Sequence, residues 1–277
     1  MAGTTDIGNV IRVGNVEVRS LVDATFTAPS AMLFAATGEE ERARHFGESC
    51  ALTVSSFLVR SGGRTLLVDT GIGPAGVPGF GIPPGTLMEG LSAAGVSPED
   101  VDTVVLTHLH VDHIGWNTAE RDGARVPTFP RARYLIRDGE LTFWKNPEMW
   151  QNAPIESQVL PLEQAGVIDT YDGEHRLTED LTLIATPGHT PGHSTISIVS
   201  AGERGFILGD VAHHPAQVTA PEHSPSFDAD PAQATATRRS LFDRAVEENG
   251  LLIAGHFPAP GFGRIAVTDG RRYWQGA

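Results

Sequence analysis

The chain has 277 residues and a formal net charge of −14 at pH 7. That acidic balance, with no cluster of lysine or arginine along the sequence, argues against an extended surface for phosphate backbones, so nucleic acid is not an expected partner. Cys50 is the only cysteine, which excludes an internal disulfide and suits a small packed side chain in a reducing compartment. No apolar run approaches the ~20 residues of a membrane span. The opening MAGTTDIGN lacks the basic and apolar regions of a secretion signal. The expected location is the cytoplasm, with no membrane partner.

Residues 10–23 alternate apolar and polar side chains and predict two strands turning at Gly14-Asn15. Residues 24–50 break the pattern, with Phe26, Met32, Leu33, Phe34 and Phe46 around a charged stretch from Glu39 to Arg44. A partly helical excursion is expected there, serving as a lid or as a contact in a homodimer. Residues 52–60 and 64–69 predict a hairpin through Ser61-Gly62-Gly63. A Gly/Pro-rich loop over 71–85 follows, then a short helix over 87–94 ended by Gly95. Ser97-Pro98-Glu99-Asp100 starts another short turn, and the β-branched run 103–107 predicts a buried strand.

Residues 134–137 predict a strand and 138–144 a helix capped by Asp138, whereas 146–170 carry no clear pattern. Strands are expected over 177–186, 195–199 and 205–208. Asp230-Pro231 opens a helix that runs to Asn249 and stops at Gly250. A buried strand over 251–254 and a hairpin over 265–267 and 271–274 close the chain. No repeat, linker or low-complexity block divides it, so residues 1–277 are expected to form one domain. Hairpins interspersed with helices, without clean βαβ alternation, predict an α+β fold of two sheets packed face to face and covered by helices.

The densest chemical signal is Thr107-His108-Leu109-His110-Val111-Asp112-His113, directly after an apolar strand. Burying so many imidazoles and carboxylates without partners is costly. Together these groups suit zinc and similar divalent ions. Further His and Asp stand just beyond other predicted strands, beside glycines that let the backbone turn. They are His189 and His193 in Pro187-Gly188-His189-Thr190-Pro191-Gly192-His193, Asp210 after Gly209, and His256 after Gly255. Each alone is ordinary. Added to the dense cluster, they supply enough ligands for two metals.

The pattern HxHxDH followed by a distant His, Asp and His resembles the metallo-β-lactamase superfamily over residues 52–256, as does Leu67-Val68-Asp69-Thr70-Gly71. The resemblance implies a four-layer αββα sandwich with the metals at one edge of the sheets. It implies His108, His110 and His193 at a first metal, Asp112, His113 and His256 at a second, and Asp210 between them. Asp69 and His189 would support the ligands from behind. The cofactors would be two divalent ions, zinc by default, with Mn2+, Fe2+ or Co2+ fitting the same donors. Such a pair shares an activated hydroxide that serves as nucleophile. Asp112 is expected to assist proton transfer to the leaving group.

Within the superfamily, segment 24–50 and the stretch Asp210-Val211-Ala212-His213-His214-Pro215 are similar to the quorum-quenching lactonase and methyl parathion hydrolase branch. Many lactonases have tyrosine three residues after the bridging Asp. His213 stands there in this chain and is expected to supply the same hydrogen bond to substrate. Trp116, Phe257 and Phe262 flank the ligands, and with Met32 and Phe34 they are expected to line an apolar pocket. The expected activity is hydrolysis of a hydrophobic ester or a lactone of the acyl-homoserine kind. Phosphotriester or phosphodiester hydrolysis on the same site, and a non-enzymatic metal-binding role, are the alternatives.

Overall fold

Val13, Val16 and Val18 are buried while Arg12, Glu17 and Arg19 are not, the period of a strand with one wet face. The computed structural model describes residues 9–277, apart from the side chains of residues 150–152. The opening residues 1–8, read above for a secretion signal and counted in the single domain, lie outside the described residues. Strands Val10–Val13 (β1) and Val16–Pro29 (β2) pair around Gly14-Asn15, and Ser49–Ser61 (β3) and Arg64–Val68 (β4) pair around Gly62-Gly63. Thr103–Val105 (β5) joins β4 in parallel. A small separate hairpin, Thr118–Arg121 (β6) with Ala124–Pro127 (β7), was not legible in the sequence. Arg133–Arg137 (β8) and Ile168–Tyr171 (β9) then extend the first sheet, whose order is β1-β2-β3-β4-β5-β8-β9.

The second sheet follows chain order: His175–Arg176 (β10), Leu181–Ala185 (β11), Ser194–Ser200 (β12), Glu203–Ile207 (β13), Leu251–Ile253 (β14), Phe262–Thr268 (β15) and Arg271–Gly276 (β16). β13 and β14 run parallel, which the helix Pro231–Glu247 between them makes possible.

The two sheets face each other across one apolar layer. Val18, Val59, Leu66 and Val105 from the first meet Leu183, Ile196, Ile198 and Ile207 from the second. The outer face of the first sheet packs Leu67, Val104 and Tyr134 against Leu87, Leu91, Trp144 and Leu162 from helical segments. The outer face of the second packs Phe206 and Leu252 against Leu241, Phe242 and Ala245 of helix Pro231–Glu247. Burying each large apolar side chain contributes about 1.5–3 kcal/mol, so three such layers make the fold. The architecture is the α+β, four-layer αββα sandwich that the resemblance implied.

Several local expectations change. Residues 24–29 do not leave the sheet, because β2 runs on to Pro29 against β3 after a bulge between Val22 and Ala24. The helical part of that segment is limited to Ser30–Leu33 and Glu39–Phe46. Asp138 is the first helical residue rather than the cap, a position held by Arg137. β11 begins at Leu181, since the Leu177 N–H bonds back to the Leu181 carbonyl at 2.9 Å and closes a turn. Helix Pro231–Glu247 is capped by Asp230 as expected, with the Gln233 N–H donating to its carboxylate at 3.0 Å. Cys50 is buried. Among the described residues no helix is long and apolar enough to cross a membrane.

Candidate metal centre

The ligand-type side chains come from four loops at one edge of the sandwich. The first follows β5 and curls into the single turn Val111–Ile114. The second joins β11 to β12 and is closed by the Thr186 N–H donating to the His193 carbonyl at 2.9 Å. The third follows β13. Gly209 there has φ +54, and a Cβ at that position would lie 2.6 Å from His193 Nε2, so only glycine delivers Asp210 to its place. The fourth follows β14 and brings His256.

Asp210 is the centre of the cluster and is only 3% exposed. Its Oδ2 lies 3.2 Å from His189 Nε2 and 3.6 Å from His108 Nε2, and His110 Nδ1 completes that side at 2.8 Å from His189 Nε2. Its Oδ1 lies 3.2 Å from His113 Nε2 and 3.1 Å from His256 Nε2. Asp112 Oδ2 completes the second side, 3.7 Å from His113 Nε2 and 3.5 Å from His256 Nε2. One carboxylate thus stands between two groups, with His256 Nε2 near both of its oxygens, 3.3 Å from Oδ2 as well.

The outward nitrogens of the rings are already committed. His113 Nδ1 meets Asp69 Oδ2 at 2.8 Å, His189 Nδ1 meets Asp228 Oδ1 at 2.9 Å, and His256 Nδ1 meets the Thr53 carbonyl at 2.8 Å. A proton on each of those nitrogens leaves the Nε2 lone pair facing inward, the arrangement of metal-ligating histidines. His113 Nε2 and Asp210 Oδ1 are buried without a hydrogen-bond partner among the described residues. Lone pairs crowded this closely in a dry site need a cation, and the donor set fits two divalent ions.

Burial and the neighbouring charges pull the rings in two directions. Burial holds His108 and His110 well below the ordinary imidazole value, with His113 beside the first and His189 beside the second adding to the effect, so both are neutral donors. Burial also depresses His113, but Asp210, Asp112 and Asp69 outweigh it and lift that ring well above the ordinary value. Burial opposes ionisation of Asp210, yet His113, His256, His213 and His108 around it hold its carboxyl well below the usual carboxylate range.

The geometry exchanges the two histidines of the Pro-Gly-His repeat. His193 uses both ring nitrogens on protein partners: Nδ1 lies 2.9 Å from Thr186 Oγ1, and Nε2 accepts the Asp210 N–H at 2.9 Å. It holds the Asp210 backbone and has no lone pair left for an ion. His189, expected behind the ligands, instead joins His108, His110 and Asp210. His189→Ala is therefore expected to cost one metal per chain by elemental analysis, while His193→Ala retains two with weaker affinity. The opposite pattern would restore the assignment made from the resemblance.

Asp69 stands where expected, accepting from the Thr107 N–H and hydroxyl, each at 2.8 Å, as well as from His113. His213 joins the cluster, with Nε2 3.1 Å from Asp210 Oδ2 and its ring stacked on His256. The aromatic residues behave differently. Phe257 is core beneath the second sheet, edge-on to Trp274. Phe262 packs between the sheets near Phe57. Phe34 stacks on Phe46 in a buried satellite with Cys50 and Leu52. All three are buried in apolar packing. The indole N–H of Trp116 donates to Asp23 at 3.1 Å, and Met32 is 39% exposed on the surface. A surface cleft of about 630 Å3 lined by Arg44, His45, Arg239, Arg271 and Arg272 shares no residue with the cluster.

Two supporting residues carried no sequence signal. Asp228, behind His189, pairs with Arg238 at 3.2 Å, both side chains 0% exposed. Arg238 also donates to the Val211 and Pro221 carbonyls, each at 2.6 Å. No motif spacing links residues 189, 228 and 238; only the fold of helix Pro231–Glu247 over the loop joins them.

Such a sandwich, with a bridged histidine–carboxylate cluster at its edge, defines a class of metal-dependent hydrolase folds. Residues 51–256 match the family described as the Metallo-beta-lactamase superfamily, and the chain belongs to it. Its relatives include an N-acyl homoserine lactonase from a Bacillus species, 24% identical over 225 residues, covering 76% of this chain and 83% of the relative. N-acyl homoserine lactonase AttM of Rhizobium radiobacter is 25% identical, covering 61% and 62% respectively. Among solved structures, AidC, a dizinc quorum-quenching lactonase in complex with a product, matches with a TM-score of 0.84 at 23% identity, over 97% of this chain and 96% of its own. The hydrolase AbOPH matches with a TM-score of 0.81 at 27% identity, over 97% and 96%.

Proposed function

We propose that this chain is a metal-dependent hydrolase that opens a lactone or cleaves an ester bearing an apolar acyl group, with acyl-homoserine lactones as the model substrates. The observation that carries the reading is the buried Asp210 carboxylate, standing between two groups of ligand side chains. The relatives named as lactonases support the substrate class. When bound, two divalent ions, zinc by the number of imidazole donors, supply Lewis acidity and bring the pKa of water toward neutrality.

His108, His110 and His189 would hold one ion and Asp112, His113 and His256 the other, with Asp210 shared. Asp112 is the most accessible carboxylate of the set, at 20% side-chain exposure, and is placed to pass a proton to the departing alcohol. Next to it, the partly buried Val111, Phe26, Val77 and Ile82 pack over the core residues Val54 and Ile72 and offer an apolar surface suited to an acyl chain.

His213 takes the substrate carbonyl. Its Nδ1 is buried without a hydrogen-bond partner among the described residues, while Nε2 rests against Asp210. His213→Phe is expected to lower kcat by roughly 10²-fold, the scale of one lost donor to a developing oxyanion, with both metals retained. His213→Tyr should keep most of the rate, and equal rates for wild type and the Phe variant would remove His213 from the mechanism.

The reading is tested with metal-loaded protein on a lactone, an aryl ester, a phosphotriester and a β-lactam. A lactone or ester preference of at least ~10²-fold in kcat/KM over the triester, close to 3 kcal/mol, is expected. A triester preference, or no turnover of any lactone or ester, would overturn it.

A further inference from the structure

We propose that Glu140 is a positioning residue that locks the loop carrying His108 and His110 to the loop carrying His189, and so sets the geometry of one of the two metal sites. Glu140 lies on the helix Asp138–Trp144 and is 0% exposed. Its Oε1 accepts the N–H of Leu109, the residue between His108 and His110, at 3.0 Å, and the indole N–H of Trp144 at 2.6 Å. Its Oε2 accepts the Thr190 hydroxyl at 2.6 Å and the Gly192 N–H at 3.1 Å. Thr190 and Gly192 lie between His189 and His193.

A carboxylate has about four acceptor sites, and all four are used here, three on two different ligand loops and one on Trp144 of its own helix. Trp144 extends the reach, since its ring stands edge-on to His110 with centroids 5.4 Å apart. The contact between helix and loop is close: a Cβ on Gly192 would lie 2.0 Å from the Glu140 nitrogen. None of the four bonds reaches Asp112, His113 or His256. The second group has anchors of its own at His113 and His256, in Asp69 (which also holds Thr107 beside His108) and the Thr53 carbonyl.

That division gives the inference its test. Glutamine keeps one oxygen, which can still serve Leu109 and Trp144. Its amide NH2 then faces Thr190, whose hydroxyl can turn to accept, and the Gly192 N–H, which cannot. Glu140→Gln thus loosens the His189 loop and spares the other. The inference rests on the two-metal reading above.

The experiment loads the full chain with zinc and follows release of each ion to a colorimetric chelator, with His189→Ala as the reference for an emptied first site. Wild type is expected to hold two zinc ions. Glu140→Gln is expected to release one of them about 10–100-fold faster, the scale for a lost outer partner of a ligand, and the other at the wild-type rate. Thr190→Val, which deletes one bond to the same oxygen, should shift the same ion in the same direction by less.

A merely structural role predicts instead that metal-free protein melts lower while both ions leave together. Equal release of both ions from Glu140→Gln, or no change in either, overturns the inference alone. Should Glu140→Gln not fold, Thr190→Val carries the test, and even release from it overturns the inference. A wild-type chain that binds no zinc overturns the proposed function and this inference with it.

Discussion

Asp210→Asn is expected to lower kcat/KM by at least ~10³-fold, equivalent to about 4 kcal/mol of lost transition-state stabilisation, and to leave fewer than two metals per chain. Five imidazoles border this one side chain: His108, His189 and His213 on the Oδ2 side, His113 and His256 on the Oδ1 side. Asparagine preserves the volume but turns an NH2 toward one of the two groups. It places hydrogens where a lone pair is required and removes the negative charge that both sides share. Steady-state kinetics and elemental analysis on the same sample read the two effects together. Full activity with two ions retained would show that the carboxylate is not the bridge.

Arg238→Leu should destabilise the metal-free chain by about 3–5 kcal/mol, because breaking a buried pair strands the remaining charge. For a chain of this size that lowers Tm by roughly 10 °C. The guanidinium ties together Val211, Pro221 and Asp228, and the Asp228 carboxylate continues to His189. The variant therefore leaves a buried carboxylate held by His189 alone and two carbonyls without their donor. Removing the charge as well, in Arg238→Met with Asp228→Asn, should recover a large part of the stability, since Asn still accepts from His189 and no ion is left unpaired. Zinc affinity at the His189 side should not recover with it, because a carboxylate partner raises the basicity of a ligand imidazole and an amide does not. Thermal melting of the stripped protein and zinc competition separate these effects. An Arg238→Leu chain that melts with wild type would contradict the account.

The sequence was most legible where one physical constraint dominates. β-Branched and apolar runs at 103–105 and 251–253 had to be buried strands, and Asp230-Pro231 had to open a helix. The density of His and Asp in residues 108–113 left little room for anything but metal. Strand β2 was cut short in the reading because Phe26 and the bulge at Val22 disturb the alternation, although pairing with β3 continues to Pro29.

His189 and His193 could not be told apart by spacing. Both follow Pro-Gly, and the choice depends on which ring nitrogen meets the Asp210 N–H, a contact between loops 17 residues apart. Phe257 and Phe262 illustrate the same limit in the core. Standing next to a ligand along the chain says nothing about which face of the sheet a side chain takes. Glu140, Asp228 and Arg238 stand in no motif, and nothing in their spacing sets them apart from surface charges. Only tertiary packing makes them interior, each with its hydrogen bonds satisfied.

The most direct test is anomalous diffraction at the zinc edge from crystals of the zinc-loaded chain. Two peaks are predicted, one on each side of the Asp210 carboxylate, with His189 and not His193 touching the first. A single peak, or two that do not share Asp210, would contradict the bridged two-ion centre on which the proposed chemistry stands.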